Sequence, residues 1–204
     1  MKNDKPVICC LDLEGVLVPE IWIEVSKKTA IPGLRLTTRD VPDYDVLMRR
    51  RLAILRKERI SLKDIRRVIA SMRPLPGAQA FLDRLRAHSQ VAILSDTYYE
   101  FAAPIMKKLG LPSLFCNRLQ VDTKGFIENY RLRQAGGKEK AVRAFKALGF
   151  SVRAAGDSYN DTEMLKAADK GVLFNPPGNI AREFPRFKTA GNYRDLFKHL
   201  LIHG

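Results

Sequence analysis

Short apolar segments alternate with segments of helical periodicity along most of the chain, and several apolar segments end at polar residues. The first, residues 7–11, stops at Asp12 and predicts a buried strand. A Pro- and Gly-rich boundary at 74–77 precedes a region in which strands and helices alternate. In that region the pattern predicts strands over 91–94, 152–155 and 171–174, a small hairpin from 119–121 and 125–131, and helices over 78–88, 99–109, 138–148, 161–168 and 195–201. This alternation predicts an α/β fold with a parallel sheet covered by helices on both faces.

The pattern differs over residues 19–73, where no convincing strand is present. Helical spacing occurs over 21–30 and 43–59, and Ser61 opens a third helix with Asp64 at the position of a capping box. We therefore predict a helical insertion after the first strand. The predicted units are a core domain made of 1–18 and 74–204 and the insertion over 19–73.

Composition places the chain among ordinary globular proteins. It has 204 residues, of which 46% are hydrophobic and 28% charged, which excludes a disordered chain, a collagen and a coiled coil. No apolar stretch reaches about 18 residues, so we expect no membrane-spanning helix, and the first apolar run is too short for a signal peptide. Cys9, Cys10 and Cys116 are expected to be buried, reduced thiols, which suits a cytoplasmic protein. His199 and His203 are interpreted as part of a last helix rather than as a metal site.

The chain is strongly basic. Lys and Arg number 36 against 22 Asp and Glu, a net charge of +14, and residues 20–73 contain 14 basic and 7 acidic residues. Such an excess indicates a nucleic-acid surface, an anionic small-molecule substrate or simply a solvated basic face. Residues 49–73 contain no aromatic residue between the arginines, which disfavours nucleic-acid binding.

Polar residues that carry chemistry follow three of the predicted strands. They are Asp12-Leu13-Glu14, Ser95-Asp96-Thr97 and Gly156-Asp157, and Lys138 opens a predicted helix. Each Asp or Ser taken singly is explained as a helix cap. Because the carboxyl ends of parallel strands meet at one edge of a sheet, all four features together predict a single site.

The carboxylates in this set point to a metal and to phosphate chemistry. Asp12 and Glu14 are two residues apart and face the same side of an extended segment. With Asp157 and Asp161 they form an acidic group that requires a hard cation, for which oxygen ligands favour magnesium. A carboxylate can also attack phosphorus, and Lys138 and Ser95 would then hold the phosphoryl oxygens.

The motifs resemble a known family. Asp-Leu-Glu-Gly-Val at 12–16, Ser-Asp-Thr at 95–97, Lys138 and Gly-Asp-Ser-Tyr-Asn-Asp at 156–161 look like the four motifs of the haloacid dehalogenase (HAD) superfamily. The insertion between the first and second motifs resembles the cap of the phosphoserine phosphatase branch. Longer stretches at 11–23, 37–48, 93–101 and 154–161 resemble the bifunctional phosphoserine phosphatase/homoserine phosphotransferase members of that branch along nearly the whole chain. The resemblance implies a HAD-like Rossmannoid parallel sheet with a helical cap.

The resemblance also implies roles for individual residues. Asp12 matches the nucleophile, Glu14 the general acid/base, and Ser95 and Lys138 the groups that hold phosphate. Mg²⁺ would be held by Asp12, Asp157 and the backbone carbonyl of Glu14, with Asp161 outside the ligand shell. The implied substrate contacts are Glu20 to the amino group of phosphoserine, Arg51 to its carboxylate, and Asn160 and the backbone of Ser95 and Asp96.

One position departs from the usual pattern of the superfamily. Most members have Asp where this chain has Glu14, and the extra methylene moves the carboxyl by about 1.5 Å, which makes room for an alcohol acceptor beside water. We therefore expect a magnesium-dependent phosphoserine phosphatase that acts through an aspartyl phosphate, with homoserine as an acceptor to be tested. A HAD phosphatase for another small phosphomonoester is the alternative, and a basic nucleic-acid-binding module on the same fold is less favoured. The sequence contains no nucleotide-binding P-loop motif, which disfavours a kinase. Whether the chain forms a homodimer is left open at this point.

Two choices within these motifs rest on helical spacing. Arg49, Arg50 and Arg51 are consecutive and diverge around a helix, and Arg51 is the one expected to bind a carboxylate through its planar guanidinium. Lys138 is preferred to Lys140 because it falls in the first turn of its helix. Candidates for the pocket lining are Tyr98, Tyr99 and Tyr159, and Trp22, for which a core position is favoured.

Overall fold

One seven-stranded sheet organises the computed structural model, which describes residues 5–38, 40–41 and 43–202. Its strands are β1 (Val7–Leu11), β2 (Gln90–Tyr98), β3 (Ser113–Val121), β4 (Ile127–Arg131), β5 (Ser151–Gly156), β6 (Lys170–Phe174) and β7 (Lys188–Ala190). The helices are α1 (Ile21–Thr29), α2 (Tyr44–Lys57), α3 (Leu62–Ser71), α4 (Ala78–Arg86), α5 (Tyr99–Lys108), α6 (Gly137–Ala147), α7 (Thr162–Ala167), α8 (Gly178–Glu183) and α9 (Tyr193–Leu201). Arg39 and Pro42 of the 37–48 stretch, and His203, lie outside the described residues.

The strands follow the order β4-β3-β2-β1-β5-β6-β7. Every neighbouring pair is parallel except β3 and β4, which are antiparallel. The predicted parallel α/β sheet is confirmed, and the antiparallel strand β4 forms one edge of it. The predicted hairpin is the second half of β3 paired with β4, whereas the first half of β3, α8 and β7 were not predicted.

The sheet is buried on both faces. Cys9 and Leu11 of β1 belong to one apolar cluster, and Ile8 and Cys10 belong to the other, because side chains alternate along a strand. Helices α4, α5 and α9 contribute to the first cluster and α6, α7 and α8 to the second. All three cysteines are buried and free, as expected.

The three helices between β1 and α4 pack into the first cluster through apolar residues such as Ile21, Leu55 and Ile65. The Asp43 side chain accepts a hydrogen bond from the backbone N of Val46 at 3.0 Å and caps α2. The capping box predicted at the start of α3 is present. The boundaries of the insertion at 19–73 stay a prediction, because its apolar side chains are continuous with the core of the sheet.

Strand β2 is longer than predicted. The expected strand over 91–94 continues through the Ser95-Asp96-Thr97 motif to Tyr98, and its register with β3 shifts between Leu94 and Tyr98. The motif therefore lies on an irregular strand end beside Asp12. No helix among the described residues is long and apolar enough to cross a bilayer.

Candidate active site

The carboxylate of Asp12 lies at the carboxyl end of β1, where it is 5% exposed. The backbone N of Asp12 still donates to the carbonyl of Ala155 at 2.9 Å, so the end of β1 is held against β5. The ammonium of Lys138, in the first turn of α6, donates to Oδ1 of Asp12 at 2.9 Å and to Oδ1 of Asp161 at 2.7 Å. Oδ2 of Asp96 lies 3.8 Å from the same nitrogen. The sheet edge therefore joins residues from four distant parts of the chain.

Three buried carboxylates lie close together at this edge, and two of them bind the ammonium of Lys138. Oxygens of Asp12, Asp157 and Asp161 lie within 4.8 Å of one another. Burial, and then the charges of Asp161 and Asp157, raise the pKa of Asp12 well above its usual range, although Lys138 opposes this. Burial alone would lower the pKa of Lys138, but the carboxylates of Asp12, Asp161 and Asp96 raise it well above its usual value. The carboxylates in this group carry more negative charge than the single ammonium of Lys138 offsets. Carboxylate oxygens are ligands that suit a hard divalent cation.

Asp161 is bound to the backbone beside this group. Its Oδ2 accepts hydrogen bonds from the backbone N of Asp157 at 3.0 Å and from the backbone N and Oγ of Ser158 at 3.1 and 3.2 Å. These bonds fix the turn that carries Asp157. Both oxygens of Asp161 therefore accept from protein donors, which suits a position outside the ligand shell of a cation.

Two glycines allow this close approach. Gly15 has φ +76°, and a Cβ added there would lie 2.5 Å from the carboxyl carbon of Asp157. A Cβ on Gly156 would collide with the side chain of Asp161. Both motifs therefore require glycine for space, and Gly15 also requires it for its backbone conformation.

Glu14 faces away from the acidic group and toward the inserted helices. Its Oε2 accepts a hydrogen bond at 2.8 Å from the backbone N of Ile21, the first residue of α1. Burial, and then the charge of Glu20, raise the pKa of Glu14 to about 8. The side chain is thus placed between the nucleophile candidate and the insertion, and the metal contact predicted for Glu14 concerns only its backbone carbonyl.

Arg51 is the buried member of the Arg triplet, with 5% of its surface exposed. Its Nη2 donates to the carbonyl of Leu36 at 2.7 Å, and its guanidinium lies 4.6 Å from the ring centre of Trp22. The buried Nε has no hydrogen-bond partner. Arg49, by contrast, is exposed and pairs with Asp45. One buried donor of Arg51 is therefore left without an acceptor.

One pocket brings most of the predicted site residues together. Its lining includes Asp12, Glu14, Glu20, Arg51, Ser95, Asp96, Lys138, Asp157 and Asn160. Asp161 lies outside the lining, in keeping with the outer position expected for it. Ser95 Oγ accepts from the backbone N of Thr97 at 3.2 Å, and this bond orients the hydroxyl. The arrangement offers a carboxylate nucleophile, cationic and hydroxyl donors for a phosphoryl group, and oxygen ligands for a cation.

Several lining residues were not predicted from the sequence: Thr37, Thr38, Leu47, Thr97 and Ser158, and above all Tyr44. The Tyr44 hydroxyl donates to the carbonyl of Asp96 at 3.1 Å and lies 2.6 Å from the hydroxyl of Tyr98. Asn160 Nδ2 donates to Thr38 Oγ1 at 3.3 Å. These bonds join the insertion to the carboxyl edge of the sheet. No local pattern marks Tyr44, because its partners are more than 50 residues away in sequence.

The aromatic candidates need correction. Tyr98 is 1% exposed and packs in the core, while the hydroxyl of Tyr99 donates to the carbonyl of Leu114. The hydroxyl of Tyr159 donates to Glu183. None of the three lines the pocket, whereas Trp22 both lines it and belongs to the core.

Comparison with known proteins agrees with this geometry. A family model described as haloacid dehalogenase-like hydrolase matches residues 8–169. The chain is 54% identical over 194 residues to phosphoserine phosphatase ThrH of Pseudomonas aeruginosa, covering 95% of each chain. It is 53% identical to a phosphoserine phosphatase of Pseudomonas syringae pv. tomato, covering 95% of this chain and 82% of the relative.

A solved structure shares the fold. It is titled as a phospho-aspartyl intermediate analogue of phosphoserine phosphatase, with a TM-score of 0.77 and 19% identity over 97% of this chain and 100% of that chain. The family model spans most of the sequence, and the acidic motifs meet at one edge of the sheet. This chain therefore belongs to the haloacid dehalogenase-like hydrolase family.

Proposed function

We propose that the protein is a magnesium-dependent phosphoserine phosphatase that works through a phosphoryl group on Asp12. The observation that carries this proposal is a single pocket with two chemically distinct ends. Asp12, Ser95 and Lys138 form an end suited to a phosphate, and Glu20 and Arg51 line the same pocket. The names of the two Pseudomonas relatives support the choice of phosphoserine.

The first step forms a bond between an Asp12 oxygen and phosphorus and breaks the bond from phosphorus to the seryl oxygen. Lys138 and Ser95 hold the phosphoryl oxygens by charge and hydrogen bonding. Glu14, between the nucleophile and α1, gives the departing seryl oxygen its proton. Serine leaves, and Asp12 carries the phosphoryl group as an acyl phosphate.

In the second step, water attacks the same phosphorus and the bond to Asp12 breaks. Glu14, now deprotonated, takes the proton from water, so inorganic phosphate is released and Asp12 returns as a carboxylate. Lys138 stabilises the carboxylate in both steps because its ammonium stays within hydrogen-bonding distance of Asp12.

Asp12, Asp157 and the backbone carbonyl of Glu14 would hold Mg²⁺. When bound, the ion offsets the repulsion between a phosphate dianion and the buried carboxylates and polarises the phosphoryl oxygens. Asp161 acts through its neighbours, because it orients Lys138 and the turn that carries Asp157.

Arg51 and Glu20 are proposed to recognise the amino-acid end of the substrate. The unpartnered Nε of Arg51 gains an acceptor when a carboxylate binds, which removes the penalty of a buried unsatisfied donor. Glu20 would receive the ammonium. We retain residues 19–73 as the cap that supplies these two groups, and the three buried free thiols support action in the cytoplasm.

A second acceptor is also proposed. Glu14 extends one methylene further than the Asp that most of the superfamily has, and an alcohol such as homoserine can occupy the place of water. Transfer would then form a phosphorus–oxygen bond to the homoserine hydroxyl while Glu14 takes its proton.

A matched substrate panel tests the phosphatase proposal. Phosphate release from phosphoserine is compared with release from phosphoethanolamine, which lacks the carboxylate, and from 3-phosphooxypropionate, which lacks the amino group. We expect kcat/KM for phosphoserine to exceed both by at least about tenfold, since each analogue loses one charge-assisted contact. Equal kcat/KM values across the panel would instead indicate a general phosphomonoesterase.

A further inference from the structure

A second polar cavity lies at the amino edge of the sheet, the edge opposite to Asp12. Lys170 and Lys188 are the first residues of the parallel strands β6 and β7, and both line this cavity of about 380 Å³. Arg186 and His199 also line it. The cavity shares no residue with the pocket that contains Asp12.

A buried arginine lies directly beside this cavity. Arg153 of β5 is the register partner of Lys170 on the neighbouring parallel strand, so both side chains leave the sheet on the same face. Arg153 is 9% exposed, and its Nε is buried without a hydrogen-bond partner. Arg153 does not itself line the cavity, so its charge would act on a bound anion through space rather than through a hydrogen bond.

Three cations of the cavity lining form no ion pair with an acidic residue in the described part of the chain. Among the described residues, Lys170, Arg186 and Lys188 take part in none of the ion pairs. Burial, and then the charges of Arg153 and Lys188, lower the pKa of Lys170, which shows that these cations repel one another.

The acidic residue in the cavity lining is already engaged. Asp169 accepts hydrogen bonds from Lys146 at 2.9 Å and from the backbone N of Val152 at 2.7 Å. Lys166, a further cation of the lining, is paired with Glu163 at 2.5 Å. Lys170 donates to the backbone carbonyl of Ile202 at 3.4 Å, and no carboxylate of the lining forms an ion pair with Lys170, Arg186 or Lys188.

We propose that this cavity is a binding site for a small dianion of the phosphate class, either inorganic phosphate or the phosphate group of a metabolite. Lys170, Arg186 and Lys188 contact the anion, and Arg153 adds its charge from the adjacent strand. A dianion suits the cluster because it offsets several mutually repelling cations at once. The site has no free carboxylate nucleophile, so it binds the anion without reacting with it.

Nuclear magnetic resonance of the arginine side chains tests the proposal on the unmodified protein. The Nε–H resonance of Arg153 is assigned by its absence from Arg153→Lys and is followed during titration with inorganic phosphate. Parallel titrations use potassium chloride at equal ionic strength, malonate as a dicarboxylate, and phosphoserine as an organic phosphate. All are run in EDTA, which by the proposed metal-dependent mechanism prevents hydrolysis of phosphoserine. We expect the Arg153 Nε–H resonance to shift saturably with the phosphate compounds and not with chloride. The compound that binds more tightly, inorganic phosphate or phosphoserine, shows whether the site takes free phosphate or the phosphate group of a metabolite.

Two double variants separate the site from general charge effects. Lys170→Gln/Lys188→Gln removes two cations of the cavity, and Lys57→Gln/Lys107→Gln removes two exposed lysines elsewhere. We expect the first to weaken phosphate binding at Arg153 at least about tenfold and the second to leave it nearly unchanged. Three results would overturn the proposal. The Arg153 resonance could shift with ionic strength alone, or it could saturate with malonate but not with phosphate. The two double variants could also change phosphate binding equally.

Discussion

The ammonium of Lys138 lies 2.9 Å from Oδ1 of Asp12, although the two residues are 126 positions apart in the chain. The pair is formed because α6 begins beside the carboxyl end of β1, and both side chains are almost fully buried. A buried charge pair of this kind depends on each partner, since removal of one leaves the other uncompensated. Lys138 thus holds the carboxylate of Asp12 in place and offsets part of the charge of the surrounding carboxylates.

Asp12→Asn keeps the shape of the side chain but removes its nucleophilic charge. We expect turnover of phosphoserine to fall below about a tenth of the wild-type value, with the fold retained, because loss of one carboxylate also reduces the repulsion from Asp157 and Asp161. Phosphate release measures activity, and circular dichroism with a thermal melt measures folding. Activity above about a tenth in a folded variant would remove Asp12 from this role.

Metal removal is expected to abolish activity. Without a cation the carboxylates of Asp12 and Asp157 repel each other and also repel a phosphate dianion. Excess EDTA should stop phosphate release, added Mg²⁺ should restore it, and Mg²⁺ should raise the Tm of the wild type more than that of Asp157→Asn. Full activity in the chelator is the result that contradicts a metal-dependent reaction.

Arg51→Ala is expected to raise KM for phosphoserine about 10- to 150-fold, the range for loss of one charge-assisted contact. KM for phosphoethanolamine, which lacks the carboxylate, should change much less. Arg50→Ala is the matched control, because Arg50 is exposed on the same helix. If KM rises equally for both substrates, Arg51 supports the fold around Leu36 and does not bind the carboxylate.

Glu14→Asp tests the choice between water and an alcohol. The shorter side chain withdraws the proton acceptor by about 1.5 Å, and we expect the fraction of phosphoryl group transferred to homoserine to fall relative to hydrolysis. Labelled phosphoserine is mixed with saturating homoserine, and the labelled products are separated. Label found only in inorganic phosphate with the wild-type protein would exclude the transferase activity and leave the phosphatase proposal intact.

Gly15→Ala and Gly125→Ala form a matched pair. Both glycines have positive φ, +76° and +86°, so alanine adds backbone strain of about 1 kcal/mol at either position. Only at Gly15 does the new Cβ meet the carboxylate of Asp157, whereas nothing lies within 4 Å at Gly125. We expect Gly15→Ala to lower Tm at least as much as Gly125→Ala, and we expect at least a tenfold loss of kcat/KM for Gly15→Ala alone. Equal kcat/KM values for the two variants would show that displacing the carboxylate of Asp157 does not impair the reaction.

Local sequence patterns predict the alternation of strands and helices, the helical character of 19–73 and the residues that meet at the carboxyl edge of the sheet. These features are local: a run of apolar residues defines a buried strand, and the capping box of Ser61 and Asp64 forms between residues three apart. Asp12 and Asp157 were predictable as neighbours because each directly follows a parallel strand, and β1 and β5 are adjacent.

The folded structure was needed to show which side chains complete the pocket and which charges lack partners. Tyr44 reaches the carbonyl of Asp96 across 52 positions, and the shift in register within β2 depends on pairing with β3. Arg153 shares a sheet face with Lys170 because their strands pair in one particular register, and no local pattern specifies that register. Contacts between distant segments are set by the packing of whole elements, so burial and unpaired charge emerge only when the chain is folded.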